Sequence, residues 1–330
     1  MTMTKTDNTT AIFQSLEKHI QGINYGTSPK ELYDPISYIM NLGGKRIRPL
    51  LTLLAYGLYR EDYEKALTPA SAVEVFHNFT LMHDDIMDEA PLRRGKTTVH
   101  ERWNTNTAIL SGDVMLVKAY DLLLDVPGDK LAQCLQLFNQ TALDVCEGQQ
   151  QDMNFETREA VQEVEYLEMI RKKTAILLGF SLQFGAILGG ASQEDAQRLF
   201  NFGESIGIGF QLKDDLLDVY ADQNKFGKQV GGDIISNKKT FLLIKARELA
   251  TGEDKEKLEE WLEARDFDKE EKVNAVTEIY DKLNIQAITE EKMTSFFDHG
   301  FAQLNELEVK NQDNLLALKA LAEDLINREK

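Results

Sequence analysis

Asp84, Asp85 and Asp88 form an Asp-Asp-x-x-Asp cluster, and Asp214, Asp215 and Asp218 repeat it further along the chain. On an α-helix, residues four apart share a face and lie about 6 Å apart along the axis. Asp84 therefore stacks on Asp88 and Asp214 on Asp218, while Asp85 and Asp215 turn about 100° to the flank. Stacked like charges destabilise a helix by a few tenths of a kcal/mol, roughly, and by more in a partly buried mouth, where a cation is the natural remedy. Neither cluster is read with a histidine or cysteine ligand, so the donors are hard carboxylate oxygens. Such oxygens suit Mg²⁺, which bridges a few carboxylates to the phosphates of a substrate. A solvated acidic helix face is the competing reading, but both clusters follow apolar, core-like runs. A di-iron bundle is disfavoured, because it calls for a Glu-x-x-His motif on each of two facing helices, and the chain has no second one beside Glu74 and His77.

Basic residues complete the chemistry. Gly43-Gly44-Lys45-Arg46-Ile47-Arg48-Pro49 precedes an apolar run. Its glycines permit close backbone approach, and Lys45, Arg46 and Arg48 add cations near a helix N-terminus, a plausible phosphate cradle. It lacks the spacing of a Walker loop. Arg93 and Arg94 follow the first cluster, and arginine forks bind phosphate oxygens in pairs. His77 lies two helical turns before Asp84 on the same face. Gln211 shares a face with Asp214, and Lys173-Thr174 opens an apolar run. Gly227-Lys228, Gly231-Gly232-Asp233 and Lys238-Lys239-Thr240 read as a glycine-punctuated basic loop, a candidate moving part. Two carboxylate walls, a cationic cradle and a basic flap fit a substrate set with more than one diphosphate.

The elements that carry these residues read as helices throughout. The chain has 330 residues, 42% of them apolar, and only six prolines. Apolar periodicity predicts helices over Ala70–Ile86, Ala108–Leu124, Leu131–Cys146, Leu167–Leu188, Ala196–Tyr220 and Thr240–Leu249, with another running on from Pro49. Hairpin turns of the Asn-Gly or Asp-Gly type are absent, so no β-structure is expected. Glu253–Lys272 reads as a solvated helix pair and residues 302–328 as an amphipathic tail helix. The expectation is an all-α fold, one large helical bundle over residues 1–330. The motifs fall within about 43–240, and 250–330 form a motif-free helical part. The net charge of −18 argues against nucleic acid. Cys134 and Cys146 make no zinc site. The polar N-terminus lacks a signal peptide, and Ala175–Gly190 is too short for a membrane span. A cytoplasmic protein is the expectation.

Together the motifs resemble the trans-isoprenyl diphosphate synthases, or polyprenyl synthetases. The matching pieces are Gly-Gly-Lys-Arg-Ile-Arg-Pro at 43–49, His-Asp-Asp-Ile-Met-Asp at 83–88, Leu-Arg-Arg-Gly at 92–95 and Ser-Gly-Asp at 111–113. Then come Lys-Lys-Thr at 172–174, Gln-Leu-Lys-Asp-Asp-Leu-Leu-Asp at 211–218, Gly-Lys at 227–228, and Gly-Gly-Asp through Lys-Lys-Thr at 231–240. The resemblance implies a helical bundle around a deep central cavity, usually a homodimer. It implies isopentenyl diphosphate on Lys45, Arg48, His77 and Arg94. It also implies an allylic diphosphate held through about three Mg²⁺ by Asp84, Asp88 and Asp214, with Asp85 and Asp218 in support. Arg93, Lys173, Thr174, Gln211, Lys228 and Lys238 would contact that diphosphate.

The same resemblance places control of product length below Asp84, at Thr80, Phe79 and Phe76. The spacing of the first cluster resembles that of archaeal geranylgeranyl enzymes, which favours C20 over C15. A class I terpene cyclase and a silent subunit of a heteromeric synthase are the rivals. The intact second cluster and the cradle argue against both.

Overall fold

Long apolar runs without interior proline leave the chain little choice but helices, and the starts are set by local chemistry. In the computed structural model of the chain, which describes residues 5–221 and 231–326, the residues group into two compact units. One comprises Met1–Gln140, Phe180–Phe200 and Leu307–Lys319; the other comprises Thr141–Gly179, Asn201–Glu306 and Ala320–Lys330.

The first unit begins with α1 (Lys5–Gly22), α2 (Lys30–Met40), α3 (Ile47–Gly57) and α4 (Leu67–Met87). Pro49 stands in the first turn of α3, where its missing N–H would have had no intrahelical partner. A short antiparallel hairpin follows, β1 (Leu92–Arg93) and β2 (Lys96–Thr97), then α5 (Val99–Arg102) and α6 (Thr105–Leu123). The hairpin departs from the expectation of no β-structure. Its turn is Arg94-Gly95, both at positive φ (53° and 72°), the backbone more often supplied by Asn-Gly. Asn104 caps α6 by accepting from the Thr107 N–H at 2.9 Å.

Helix α4 is the spine of this unit. It buries Ala70, Ala72, Val73, Val75, Phe76 and Met82, and packs on α3 and α6. Small residues set the closeness of packing. A Cβ on Gly112 of α6 would lie 2.2 Å from Nε2 of His83, and one on Gly185 would lie 2.0 Å from the Thr52 carbonyl oxygen. An aromatic column runs through the unit: Phe79 on Phe76 (5.7 Å between centroids), Phe76 on Phe138 (5.0 Å), Phe138 on Phe180 (5.9 Å) and Phe180 on Phe184 (5.2 Å).

The chain continues through α7 (Gly128–Thr157), α8 (Glu163–Ile170), α9 (Ile176–Gly189), α10 (Gln193–Tyr220), α11 (Gly232–Ile235), α12 (Phe241–Leu249), α13 (Gly252–Glu263), α14 (Lys269–Lys282), α15 (Ile285–Leu304) and α16 (Gln312–Ile326). The second unit has two apolar clusters. One gathers Leu216, Val219, Leu242, Val276 and Tyr280, and the other Phe155, Tyr166, Ile170, Leu212 and Phe241.

Three expectations change here. The helix predicted over Leu167–Leu188 is interrupted by a π-turn at Arg171–Ala175. The tail is not one helix over 302–328, since α15 ends at Leu304 and α16 begins at Gln312. The charged stretch Glu253–Lys272 is a helix pair, but Lys272 is fully buried and donates to Asn237 Oδ1 at 2.6 Å. Among the described residues, no helix is long and apolar enough to cross a membrane.

Substituting Gly185→Ala should cost about 1–3 kcal/mol by overpacking against the α3 backbone. Gly22→Ala, where nothing lies within 4 Å of the added Cβ, is the control. Chemical denaturation of both variants checks this, and equal stability would show that α9 is free to shift.

Candidate active site

In the first unit the aspartates sit where α4 runs out. Asp88 is the C-cap, and its N–H donates to the Asp84 carbonyl at 2.9 Å, so the two residues are stacked by the helix itself. Asp85 is turned away and only 2% exposed. Arg93 donates to it through Nε at 2.7 Å and to Asp84 Oδ2 through Nη2 at 3.3 Å. Burial raises the Asp85 pKa, and the Arg93 charge opposes that rise. His83 precedes the cluster, but its Nε2 meets the Ile109 carbonyl at 3.1 Å and its ring packs on Phe79. The imidazole is thereby engaged on the α6 side and adds no ligand.

Two turns back on α4, His77 Nε2 lies 3.2 Å from Arg48 Nη1. Burial, then the charges of Arg48, Arg94 and Arg93, hold the His77 pKa well below the usual value. With the ring neutral, Nε2 accepts the Arg48 N–H. Burial pushes Arg48 down to about 10, opposed by Glu74. Its Nε is buried with no hydrogen-bond partner, an idle donor that a diphosphate oxygen would satisfy. Arg94 donates to the Gly43 carbonyl, and a Cβ on Gly44 would lie 2.7 Å from Arg94 Nη1. The hairpin turn and the glycines thus bring Arg94 to the cradle predicted around Lys45 and Arg48. Arg46 does not join it. That side chain is 4% exposed and is spent on Glu17, Glu74 and the Met40 carbonyl. Sequence spacing could not see this, because both carboxylates lie on other helices.

The positions below Asp84 divide. Thr80 is half-buried and donates to the His77 carbonyl at 2.7 Å. Phe79 is half-buried, and Phe76 is fully buried between the rings of Phe79 and Phe138.

In the second unit, α10 carries the other cluster. Asp214 is exposed and Asp218 half-buried, with Asp218 Oδ2 accepting from the Asp233 N–H at 2.9 Å. Asp215 is 3% exposed and accepts from the Tyr166 hydroxyl. Burial raises Asp215 to about 7 and Asp233 to about 6. Lys238 lies 4.0 Å from Asp233.

The π-turn carries Lys172, Lys173 and Thr174, and π-turns recur at functional sites. Thr174 donates to Gln211 Oε1 at 3.3 Å, and Lys173 pairs with Asp152 at 2.6 Å. Gly148 lets α7 approach, since a Cβ there would lie 2.3 Å from the Lys173 backbone nitrogen. Asp152 is a partner of Lys173 that sequence reasoning missed, and Gln151 beside it has a buried Oε1 with no hydrogen-bond partner. The polar run Gln149-Gln150-Gln151-Asp152 inside a long helix was the available signal. Lys228, and the part of the basic loop before Gly231, lie outside the described residues.

The donor chemistry fits magnesium. Among the described residues no three carboxylate, imidazole or thiolate groups converge to hold an ion alone. Mg²⁺ takes six oxygens and usually draws most from water and substrate phosphate, so two stacked carboxylates are the protein's expected share.

Residues 29–280 match the polyprenyl synthetase family. The chain belongs to that family. It is 44% identical to the geranylgeranyl diphosphate synthase of Methanosarcina mazei over 224 residues, which is 67% of this chain and 69% of that protein. Identity to the Sulfolobus acidocaldarius geranylgeranyl diphosphate synthase is 36% over 323 residues, 97% of each. A solved geranylgeranyl pyrophosphate synthase superposes with a TM-score of 0.90 at 40% identity, covering 100% of both chains. The all-α fold class is that of this polyprenyl synthetase relative.

The His77 environment predicts a pH effect. The unfolded chain takes up a proton near pH 6.5, whereas folded His77 stays neutral, so stability is lost as pH falls below that value. His77→Gln should reduce this loss between pH 6.5 and 5.5 by up to about 1 kcal/mol. Denaturation at the two pH values measures it, and parallel losses in wild type and variant would contradict the half-buried, cation-surrounded histidine.

Proposed function

We propose that this chain is a magnesium-dependent trans-prenyltransferase. It condenses isopentenyl diphosphate with an allylic diphosphate by head-to-tail 1'-4 addition, releasing diphosphate and giving a C15–C20 product, with C20 favoured. The observation that carries this is the composition of α4 and its neighbours. His77 of α4 joins Arg48 of α3 in a cationic cradle, and the end of the same α4 carries a carboxylate pair at Asp84 and Asp88. Those are two different ways of holding a diphosphate.

Each residue then has a task. Lys45, Arg48, His77 and Arg94 bind isopentenyl diphosphate directly, Arg48 through its idle Nε. Asp84, Asp88, Asp214 and Asp218 would hold about three Mg²⁺ against the allylic diphosphate. Magnesium, when bound, neutralises charge on the departing diphosphate. Arg93, Lys173, Lys228 and Lys238 add cationic donors where that charge grows, and preorganised donors are most effective there. Thr174 and Gln211, already joined, orient the same group. Asp85 and Asp215 are not ligands in this reading; their tethers to Arg93 and Tyr166 fix the helix ends. The allylic cation formed on ionisation is attacked by the isopentenyl double bond. The released diphosphate takes the final proton, so no protein base is assigned.

Product length is set by Phe79 and Thr80, whose half-buried side chains lie one turn below Asp84. Phe76 backs Phe79 from the core. The chain is further read as a cytoplasmic homodimer. Leu110, Val117 and Leu124 support the dimer; they are seven apart and 58, 60 and 65% exposed, forming an apolar stripe on and just beyond α6.

The direct test is an incubation of the purified chain with Mg²⁺, isopentenyl diphosphate and each allylic primer, with products resolved by chain length. Geranylgeranyl diphosphate is the expected main product, and no condensation would overturn the reading. Chelation of the metal, or Asp84→Asn, should lower turnover about a hundredfold or more. Phe79→Ala should lengthen the product; an unchanged chain length would remove Phe79 as the floor.

A further inference from the structure

The loop that must present Lys45 and Arg48 is poorly suited to support itself. Gly43 and Gly44 have φ of 77° and 143°, and Arg46 follows at φ 46°, ψ 36°. A non-glycine residue in the left-handed region is held there only when its surroundings impose it. No side chain caps α3 at this point.

Arg46 is tied to three other elements. Its Nε meets Glu17 Oε1 of α1 at 2.6 Å, its Nη1 meets Glu74 Oε1 of α4 at 2.8 Å, and its Nη2 donates to the Met40 carbonyl that ends α2 at 2.6 Å. Glu74 is 2% exposed and also accepts from Asn78 Nδ2 at 3.0 Å. Three residues on along α4 stands His77, which is bonded to Arg48, two residues on from Arg46. Loop and helix are therefore cross-linked twice, by Arg46–Glu74 and by Arg48–His77, into a closed ring. Turning Arg46 toward a ligand would leave Glu74 buried without its main counter-charge, which is strongly unfavourable. Glu74 also bears electrostatically on Arg48 and Arg94, opposing the effect of burial on both guanidinium groups.

We propose that Arg46 is a positioning residue, a clamp that uses Glu17 and Glu74 to hold the 43–48 loop in its diphosphate-binding shape without touching the substrate itself. This rests on the prenyltransferase reading for the identity of the diphosphate. The clamp acts on the isopentenyl side alone. Lysine cannot replace the arginine, since one ammonium cannot span two carboxylates and a carbonyl with the same fork.

Steady-state kinetics of Arg46→Lys in the full chain should show KM for isopentenyl diphosphate raised about tenfold. KM for the allylic substrate should stay within about twofold and kcat within about threefold. Glu17→Gln, at the more exposed end, should give a smaller shift of the same sign. The double variant Arg46→Gln with Glu74→Gln removes both buried charges, and should bind isopentenyl diphosphate better than Arg46→Gln alone. A direct phosphate ligand would show no such rescue.

Calorimetric titration of inorganic diphosphate without metal reads the clamp separately from turnover. Wild type should bind and Arg46→Lys should bind about tenfold more weakly, whether or not condensation occurs. If wild type binds but does not condense, the prenyltransferase reading fails and the clamp stands. Equal rises in both KM values, unchanged KM values, absence of rescue, or equal diphosphate binding by wild type and Arg46→Lys would overturn the clamp.

Discussion

Each aspartate cluster depends on a carboxylate that is taken out of play. Asp85 is buried against Arg93 and Asp215 against Tyr166, both about as deep as the surrounding leucines. A buried carboxylate without a partner would cost several kcal/mol, roughly. Those two tethers therefore fix the rotation of the helix ends about their axes. That rotation turns the first and last aspartates of each cluster to a face other than that of Asp85 and Asp215. The same logic governs the cations: Arg46 is consumed by Glu17 and Glu74, while Arg48 pairs with His77 and Arg94 with the Gly43 carbonyl.

Much of this was legible in the sequence, and the reason is periodicity. Helices α4, α6 and α10 were readable because their apolar runs are long and unbroken. The stacking of Asp84 on Asp88 follows from helix geometry alone. Lys45 and Arg48 could be singled out from their glycine context as candidates for binding a diphosphate. What escaped depends on contacts between distant segments. Arg46 looks like Arg48 in sequence and differs only because Glu17 and Glu74 wait for it. Lys272 looks like a surface lysine, yet it is buried against Asn237. Asp152 became relevant only when Gly148 let α7 come close to Lys173. The π-turn at Arg171–Ala175 and the Arg94-Gly95 hairpin turn use backbone states that composition does not signal.

Helix α4 combines functions that are elsewhere separated. Its N-terminal half is core, with Phe76 and Val73 fully buried. Its middle holds Glu74, bonded to Arg46, and His77, bonded to Arg48. Its last turns carry Phe79 and Thr80, and then the carboxylates. Charge and apolar surface are ordered along one helix axis, so the distance from Asp84 to the aromatic column is set by helix rise, about 1.5 Å per residue.

The central claim is that two diphosphates are held by unlike chemistry, one by cations and one through metal on carboxylates. Calorimetric titration with isopentenyl diphosphate and with an allylic diphosphate, each with Mg²⁺ and with chelator, tests it most directly. Isopentenyl diphosphate should bind in both conditions, and the allylic diphosphate should lose most of its affinity when the metal is removed. Equal metal dependence of the two ligands would contradict the account.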